Sequence, residues 1–219
     1  MWIKIKKLIL DVLFPKFCFG CKKEGNYLCQ DCQTLLEISG FHRNYPTHNL
    51  DDLYFAADHK NPLIKRLIRY FRYEPFIKEL GKPLSFLIVA HLQLADNEPD
   101  FSSFILIPVP LYKKRLKWRG FNQAKELGKE LANFLKIPLM SDNLIKIKET
   151  LCQADLSSVE ERKENVKDVF LYLNPEKIKG KGILLVDDIY ATGSTIEECA
   201  RVLRKAGAKK IIGIVVARE

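Results

Sequence analysis

The chain has 219 residues, enough for one good core and a small appendage. Its apolar and charged fractions, 47% and 29%, are those of a soluble globular protein, and no apolar run approaches the roughly 20 residues that would span a bilayer. The 36 Lys and Arg against 27 Asp and Glu leave a charge of +9, which favours anionic partners such as nucleotides, nucleic acid or a lipid surface over cationic ones; a solvated basic surface is the alternative.

Met1–Phe14 carries Lys4, Lys6 and Lys7 ahead of an apolar segment that Asp11 interrupts. No small-residue cleavage site follows, so a short amphipathic helix stopped by Pro15 is expected rather than a signal peptide. It either packs on its own domain, which its short apolar face favours, or makes a peripheral membrane contact. A cytoplasmic protein is expected.

The next segment holds Cys18-Phe19-Gly20-Cys21 and Cys29-Gln30-Asp31-Cys32. Two CxxC pairs can clamp one tetrahedral ion, and four thiolates complete a closed structural zinc site with no open position for chemistry. Two disulfides would need an oxidising compartment, and no export signal is apparent. Cys199 falls in a helical pattern and reads as a small core residue, and Cys152 has no thiol neighbours either.

A polar stretch, Ser39–Asp52, reads as a linker, which divides the chain into residues 1–38 and 50–219. Beyond it, strand-like runs alternate with helical patterns, which indicates an α/β fold. Strands are predicted at Leu53–Ala57, Phe104–Ile107, Val169–Leu173, Ile183–Val186 and Ile211–Ala217. Helices are predicted at Pro62–Tyr73, Phe76–Leu94, Phe121–Leu135 and Ser194–Ala206, the last capped by Gly207.

The first of these helices places Ile64, Leu67, Ile68 and Phe71 on one face and Lys65, Arg69 and Arg72 on another, near Tyr70 and Tyr73. Basic groups beside aromatic rings suit a flexible single strand; a core-packing helix with a solvated basic face is the alternative.

The most informative stretch is Ile183–Thr195. A buried strand ends in Asp187 and Asp188, and then a small, hydroxyl-rich turn opens a helix. In open α/β sheets ligands bind at that end of a strand. The helix N-terminus suits a phosphate and paired carboxylates suit a vicinal diol, so one unit can hold a sugar phosphate at both ends. A second segment, Ile107-Pro108-Val109-Pro110-Leu111, leads into the basic cluster Lys113, Lys114, Arg115, Lys117 and Arg119. Gly120 permits a close approach to an anion there, and Arg119 can fork onto phosphate, although a flexible basic loop would look the same.

The 187–195 motif resembles the phosphoribosyl-pyrophosphate (PRPP) loop of type I phosphoribosyltransferases. The resemblance implies that Asp187 and Asp188 contact ribose, the positions with a catalytic role, and that Ala191, Thr192, Gly193, Ser194 and Thr195 bind the 5′-phosphate. Ala191 stands where a Thr is common, which removes a hydroxyl and keeps the N–H.

The order along the chain is similar to that of the ComF family of competence proteins. It runs from two CxxC pairs to Pro-Val-Pro, to Arg119-Gly120-Phe121-Asn122-Gln123, to Arg162-Lys163-Glu164-Asn165-Val166, and on to the Asp-Asp loop. Lys148-Glu149-Thr150 and Gln153 resemble the family's Thr-x-x-Gln segment, with Lys146 and Lys148 where an Arg often stands. The resemblance implies a phosphoribosyltransferase-like parallel sheet flanked by helices, with a small N-terminal zinc module. Val109, Lys113, Arg115, Arg119, Gly120, Asn122 and Gln123 would join the turn in holding PRPP with Mg²⁺.

It also implies a role in DNA uptake during natural transformation, through single-stranded DNA and contact with the uptake machinery. The competing reading is an active transferase that moves a ribosyl 5-phosphate group onto a nitrogenous acceptor. For that reading no base-selecting hood is evident.

Overall fold

A computed structural model describes residues 15–95, 99–151 and 158–219. The predicted N-terminal helix, Cys152 and Gln153 lie outside these residues.

The centre is a four-stranded parallel sheet in the order β1–β6–β5–β2, with β1 at Asp52–Asp58, β2 at Phe104–Pro108, β5 at Gly182–Tyr190 and β6 at Lys210–Arg218. Both faces are covered, which is why β5 and β6 read as near-continuous apolar runs. Their side chains divide by the two-residue period of a strand. Leu184, Val186, Ile212, Ile214 and Val216 point to one core, and Ile183, Leu185, Ile211 and Val215 to the other.

The first face is covered by α2 (Pro62–Arg72), α3 (Gly81–Leu94) and α5 (Gln123–Leu135). Ile64, Leu67, Ile68 and Phe71 of α2 are buried, as their spacing predicts. Asn61 caps that helix by accepting from the N–H groups of Leu63 and Ile64, and Pro62 sits where no N–H is needed. The second face is covered by α7 (Ser194–Lys205) and a two-stranded antiparallel ribbon. Cys199 is fully buried there, as a core residue.

The structure departs from the predicted elements in five places. The segment predicted as a strand at Val169–Leu173 yields β4 (Phe170–Tyr172), which leaves the main sheet and pairs antiparallel with β3 (Leu144–Lys146), a strand too short for any periodicity to show. The helix predicted from Phe76 starts as α3 only at Gly81, after a 3₁₀ turn at Lys78–Leu80. The basic cluster after β2 forms a helix, α4 (Lys113–Arg119), rather than a loop, and Gly120 ends it in the left-handed conformation at φ 83°. Val159–Val166 forms α6, opened by a capping box between Ser158 and Glu161. Finally, β5 runs past Val186 to Tyr190, because Asp187, Ile189 and Tyr190 stay in register with Val215, Ala217 and Arg218.

The cysteine knuckle, with α1 at Gln30–Thr34, packs on the first face. Leu28 and Leu36 join the core of α2 and α3, and Phe19 stacks on Tyr70 at 4.6 Å. The polar stretch after it is tied down. The Ser39 N–H donates to the Ala56 carbonyl, and Asp52 accepts from the Tyr45 N–H and pairs with His42 at 2.8 Å.

Candidate functional site

The site forms where β5 ends, between the knuckle-bearing face and the α7 face. The extension of β5 through the acid pair has a geometric consequence. Successive strand residues point to opposite faces, so Asp187 and Asp188 diverge. Asp188, 2% exposed, faces the first layer, where Arg72 at the end of α2 brings Nε to 3.4 Å from Oδ2. Arg119 is buried on the same side with its guanidinium 5.6 Å from the Phe76 ring centre. Burial brings the Arg119 guanidinium down to about 10, against the pull of Asp188.

Asp187 is half-buried and faces the second layer, and its Oδ1 accepts from the Asp188 N–H at 2.8 Å. Burial, and then the charge of Asp188, holds its carboxyl well above the ordinary carboxylate range, while Arg72 pulls it down. Lys146 of β3 lies on this side. Its Nζ donates to Thr150 Oγ1 at 2.6 Å and sits 5.5 Å from the Phe170 ring centre. Burial, reinforced by Arg115, lowers Lys146 to about 8, with Cys199 and Asp187 opposing the shift. Arg115, Lys146 and Thr150 share a small cleft with Tyr112.

Beyond Tyr190 the chain makes the turn Ala191-Thr192-Gly193. Gly193 has φ 75°, which favours glycine, and a Cβ there would lie 2.4 Å from the Tyr190 hydroxyl, so any other residue would force Tyr190 to shift. As the N-cap of α7 it carries no side chain to satisfy the helix's first N–H groups. Thr192 Oγ1 and Ser194 Oγ lie 2.9 Å apart beside them. The turn, Thr195 and Asp187 line a cavity of about 70 Å³, whose remaining wall includes Arg72 and Arg162.

The structure thus brings Asp187 and the five turn residues together at one cavity and sets Asp188 and Arg119 behind it. The other predicted residues stand apart from that cavity. The Val109 N–H donates to the Val186 carbonyl, and the Val109 carbonyl accepts from Asn122 Nδ2, both at 2.9 Å, which fastens the β2 exit beside the acids. Asn122 also caps α5. Lys113 and Gly120 are exposed at the two ends of α4, and Gln123 is buried with its Oε1 lacking a hydrogen bond. Arg72, Lys146 and Arg162 were not among the predicted site residues. Arg162 had a signal, since it lies four residues before the buried Val166 and so shares its inward face. Arg72 reads in sequence as part of a solvated face.

The four knuckle sulfurs lie within 4.8 Å of one another, and Cys21 Sγ is 3.5 Å from Cys29 Sγ. Backbone N–H groups donate to the Cys18 and Cys29 sulfurs at 3.4 Å. Burial opposes ionisation of Cys18, but the N–H groups of Cys29, Cys21 and Gly20 outweigh it and bring the thiol to about 6. Cys32 is pushed up to about 12, first by its sulfur contact with Cys21. Four such thiols cannot all ionise without a cation among them, and the donor set and spacing fit zinc. No helix of the described residues is long and apolar enough to cross a membrane.

Residues 123–219 match the phosphoribosyl transferase domain family. The chain is 38% identical over 200 residues to Competence protein F of Haemophilus influenzae, covering 90% of this chain and 82% of that one. It is 35% identical over 106 residues to DNA utilization protein YhgH of Salmonella typhi, covering 48% of this chain and 45% of that relative, less than half its length. Among solved structures, the glutamine PRPP amidotransferase of B. subtilis superposes with a TM-score of 0.37 at 20% identity, over 63% of this chain and 25% of that one. With its parallel sheet, its four-cysteine knuckle and its similarity to Competence protein F along nearly the whole length, the chain belongs to the ComF family of phosphoribosyltransferase-like proteins.

Proposed function

We propose that this protein binds PRPP at the 187–195 unit and single-stranded DNA on its basic surface, and that it acts in DNA uptake together with the uptake machinery. The observation that carries the reading is the cavity between the start of α7 and Asp187. The start of α7, two hydroxyls and two arginines surround a space fit for phosphate, next to a carboxyl group able to accept from a sugar. The relatives' names, a competence protein and a DNA utilization protein, support the cellular role.

Mg²⁺ belongs to the same proposal. Asp187 lines the cavity and offers the hard oxygen donor such a cation takes, and Mg²⁺ would offset the charge of the pyrophosphate. Lys146 and Arg115 stand on the side of Asp187 away from the first layer, and their charges would face the pyrophosphate end.

For DNA, the outer face of α2 presents Lys65, Arg66 and Arg69 beside a groove of about 230 Å³. Tyr70 is engaged by Phe19, so stacking would fall to the exposed Tyr73. Backbone phosphate contact therefore dominates this face, and binding should be steeply salt-dependent.

Calorimetric titration with PRPP, with and without Mg²⁺, tests the site. Saturable Mg²⁺-dependent binding that Asp187→Asn weakens is expected, and no binding under either condition refutes the reading. Pyrophosphate release in the presence of a nitrogenous base would extend it from binding to transfer.

A further inference from the structure

A groove of about 870 Å³ runs between the knuckle and α3 and takes no part in the function proposed above. Tyr27, Leu28, Leu36 and Ile38 form its knuckle side, and Pro83, Phe86 and Leu94 form its helix side. α3 is apolar on both of its sides. Leu84, Leu87, Ile88 and Leu92 are buried in the core under the sheet. On the outer side Pro83, Phe86, Ala90 and Leu94 recur at steps of three and four residues, and Phe86 and Leu94 are 51% and 55% exposed. A helix that is apolar all round belongs under cover, and a contiguous exposed apolar patch marks a contact.

The chain itself supplies a matching segment. Lys16, paired with Glu79 at 2.6 Å, lines the groove. The fourteen residues ahead of Pro15, outside the described residues, therefore join the structure at the edge of the groove. At helical spacing Ile5, Leu8, Ile9 and Val12 share one side, with Trp2 and Leu13 beside them. Lys4, Lys7 and Asp11 share the opposite side. Lys6 stands at the border, where its stem can lie on apolar surface while its ammonium reaches water. Fourteen helical residues extend about 21 Å, the length of the fourteen-residue α3 whose outer stripe they would cover.

We infer that residues 1–14 dock as an amphipathic helix in the groove between the knuckle and α3, laying the side of Ile5, Ile9 and Val12 on the stripe of Phe86 and Leu94. The tether favours this occupant over others. A segment joined through Pro15 meets the groove at a high effective concentration, which a second copy of the chain in dilute solution does not match. The apolar side of the segment is then covered within the chain instead of being offered to a lipid surface. Docking also ties the segment to the knuckle, because Leu28 and Leu36 belong both to the groove and to the core.

The test uses the full chain and its own fluorescence. The sequence has two tryptophans, and Trp118 is 61% exposed, so Trp118→Phe leaves Trp2 as the single reporter at little cost to the fold. In that background Trp2 is expected to emit to the blue of free indole and to be shielded from acrylamide. Phe86→Lys with Leu94→Lys should lower the ratio of docked to free segment by about tenfold or more, the scale of one or two buried apolar side chains, and so expose Trp2. Ile5→Lys with Ile9→Lys should do the same from the other partner. Phe41→Lys, exposed but outside the groove, should leave Trp2 shielded. Thermal unfolding checks the fold of each variant, and Phe86→Gln alone serves if the double substitution lowers it.

Three results would overturn the inference. One is Trp2 open to quencher in the protein alone and shielded only when anionic lipid vesicles are added. Another is Trp2 shielded to the same degree in a folded groove variant, which would place the segment elsewhere. The third is shielding that disappears on dilution, which would assign the groove to a second copy.

Discussion

The two functional regions of this protein are built on opposite plans. The knuckle draws all four ligands from fifteen residues, Cys18 to Cys32, and its geometry follows from tight local turns. The cavity at the α7 start draws its walls from α2, β5, α6 and the start of α7, segments spread over more than a hundred residues. A site closed by short loops is legible as a spacing. A site closed by packing depends on how whole layers meet.

The contrast can be broken most forcefully at the knuckle. If the four cysteines hold zinc, chelation, or Cys18→Ser with Cys32→Ser, should remove a contribution on the order of 10 kcal/mol to that segment's folding. Because Leu28 and Leu36 share a core with α2 and α3, the thermal midpoint of the whole chain is expected to fall. Metal analysis and calorimetry check this. An unchanged midpoint after stoichiometric metal loss would show the knuckle to be an independent appendage.

The next largest effect is expected at Asp188. Arg72→Gln strands a carboxylate that is 2% exposed, and breaking a buried pair from one side costs about 3 kcal/mol. Arg72 is partly open to solvent, so the expected loss is nearer ~1–2 kcal/mol. Arg72→Gln with Asp188→Asn should recover part of it in denaturant unfolding. Strict additivity would mean that the two side chains do not interact.

Gly193→Ala sharpens the comparison from the turn. The left-handed backbone and the Tyr190 hydroxyl at 2.4 Å from the new Cβ should together cost about 2 kcal/mol of folding stability, read in denaturant unfolding, and PRPP affinity should fall as far as the turn shifts to relieve them. Gly120→Ala is strained but meets open space, so it should destabilise the α4 cap and spare the cavity at the α7 start.

The smallest effect is a pH dependence. The Lys146 ammonium is held near a pKa of about 8 by burial, so it is charged below that pH and loses its charge as pH rises through it. PRPP affinity should therefore fall severalfold between pH 7 and pH 9, and Lys146→Met should flatten that profile. The same shift raises folding stability with pH above about 8, because the unfolded lysine still binds a proton there. A flat affinity profile in the unmodified protein would remove Lys146 from the site.

Much of this molecule is legible in its residues. The buried runs of β5 and β6, the amphipathic period of α2, the glycine at the α7 start and the paired cysteines each state a local physical requirement: burial on both faces, a 3.6-residue repeat, a positive φ, four thiolates around one ion. The short ribbon β3–β4 was hidden because three residues show no period, and α4 because a run of lysines and arginines looks the same on a solvated helix as in a loop.

What the residues alone determined is which chemistry is present, since donors, acids and turn conformations are properties of single positions and close neighbours. What only the tertiary structure decided is how those groups face one another. Continued pairing of β5 with β6 carries the strand's alternation through Asp187 and Asp188 and sends the two carboxylates to opposite layers. Helix packing brings Arg72 and Arg162 in from either side. Those placements depend on the register of distant segments, and no single stretch of the chain encodes it.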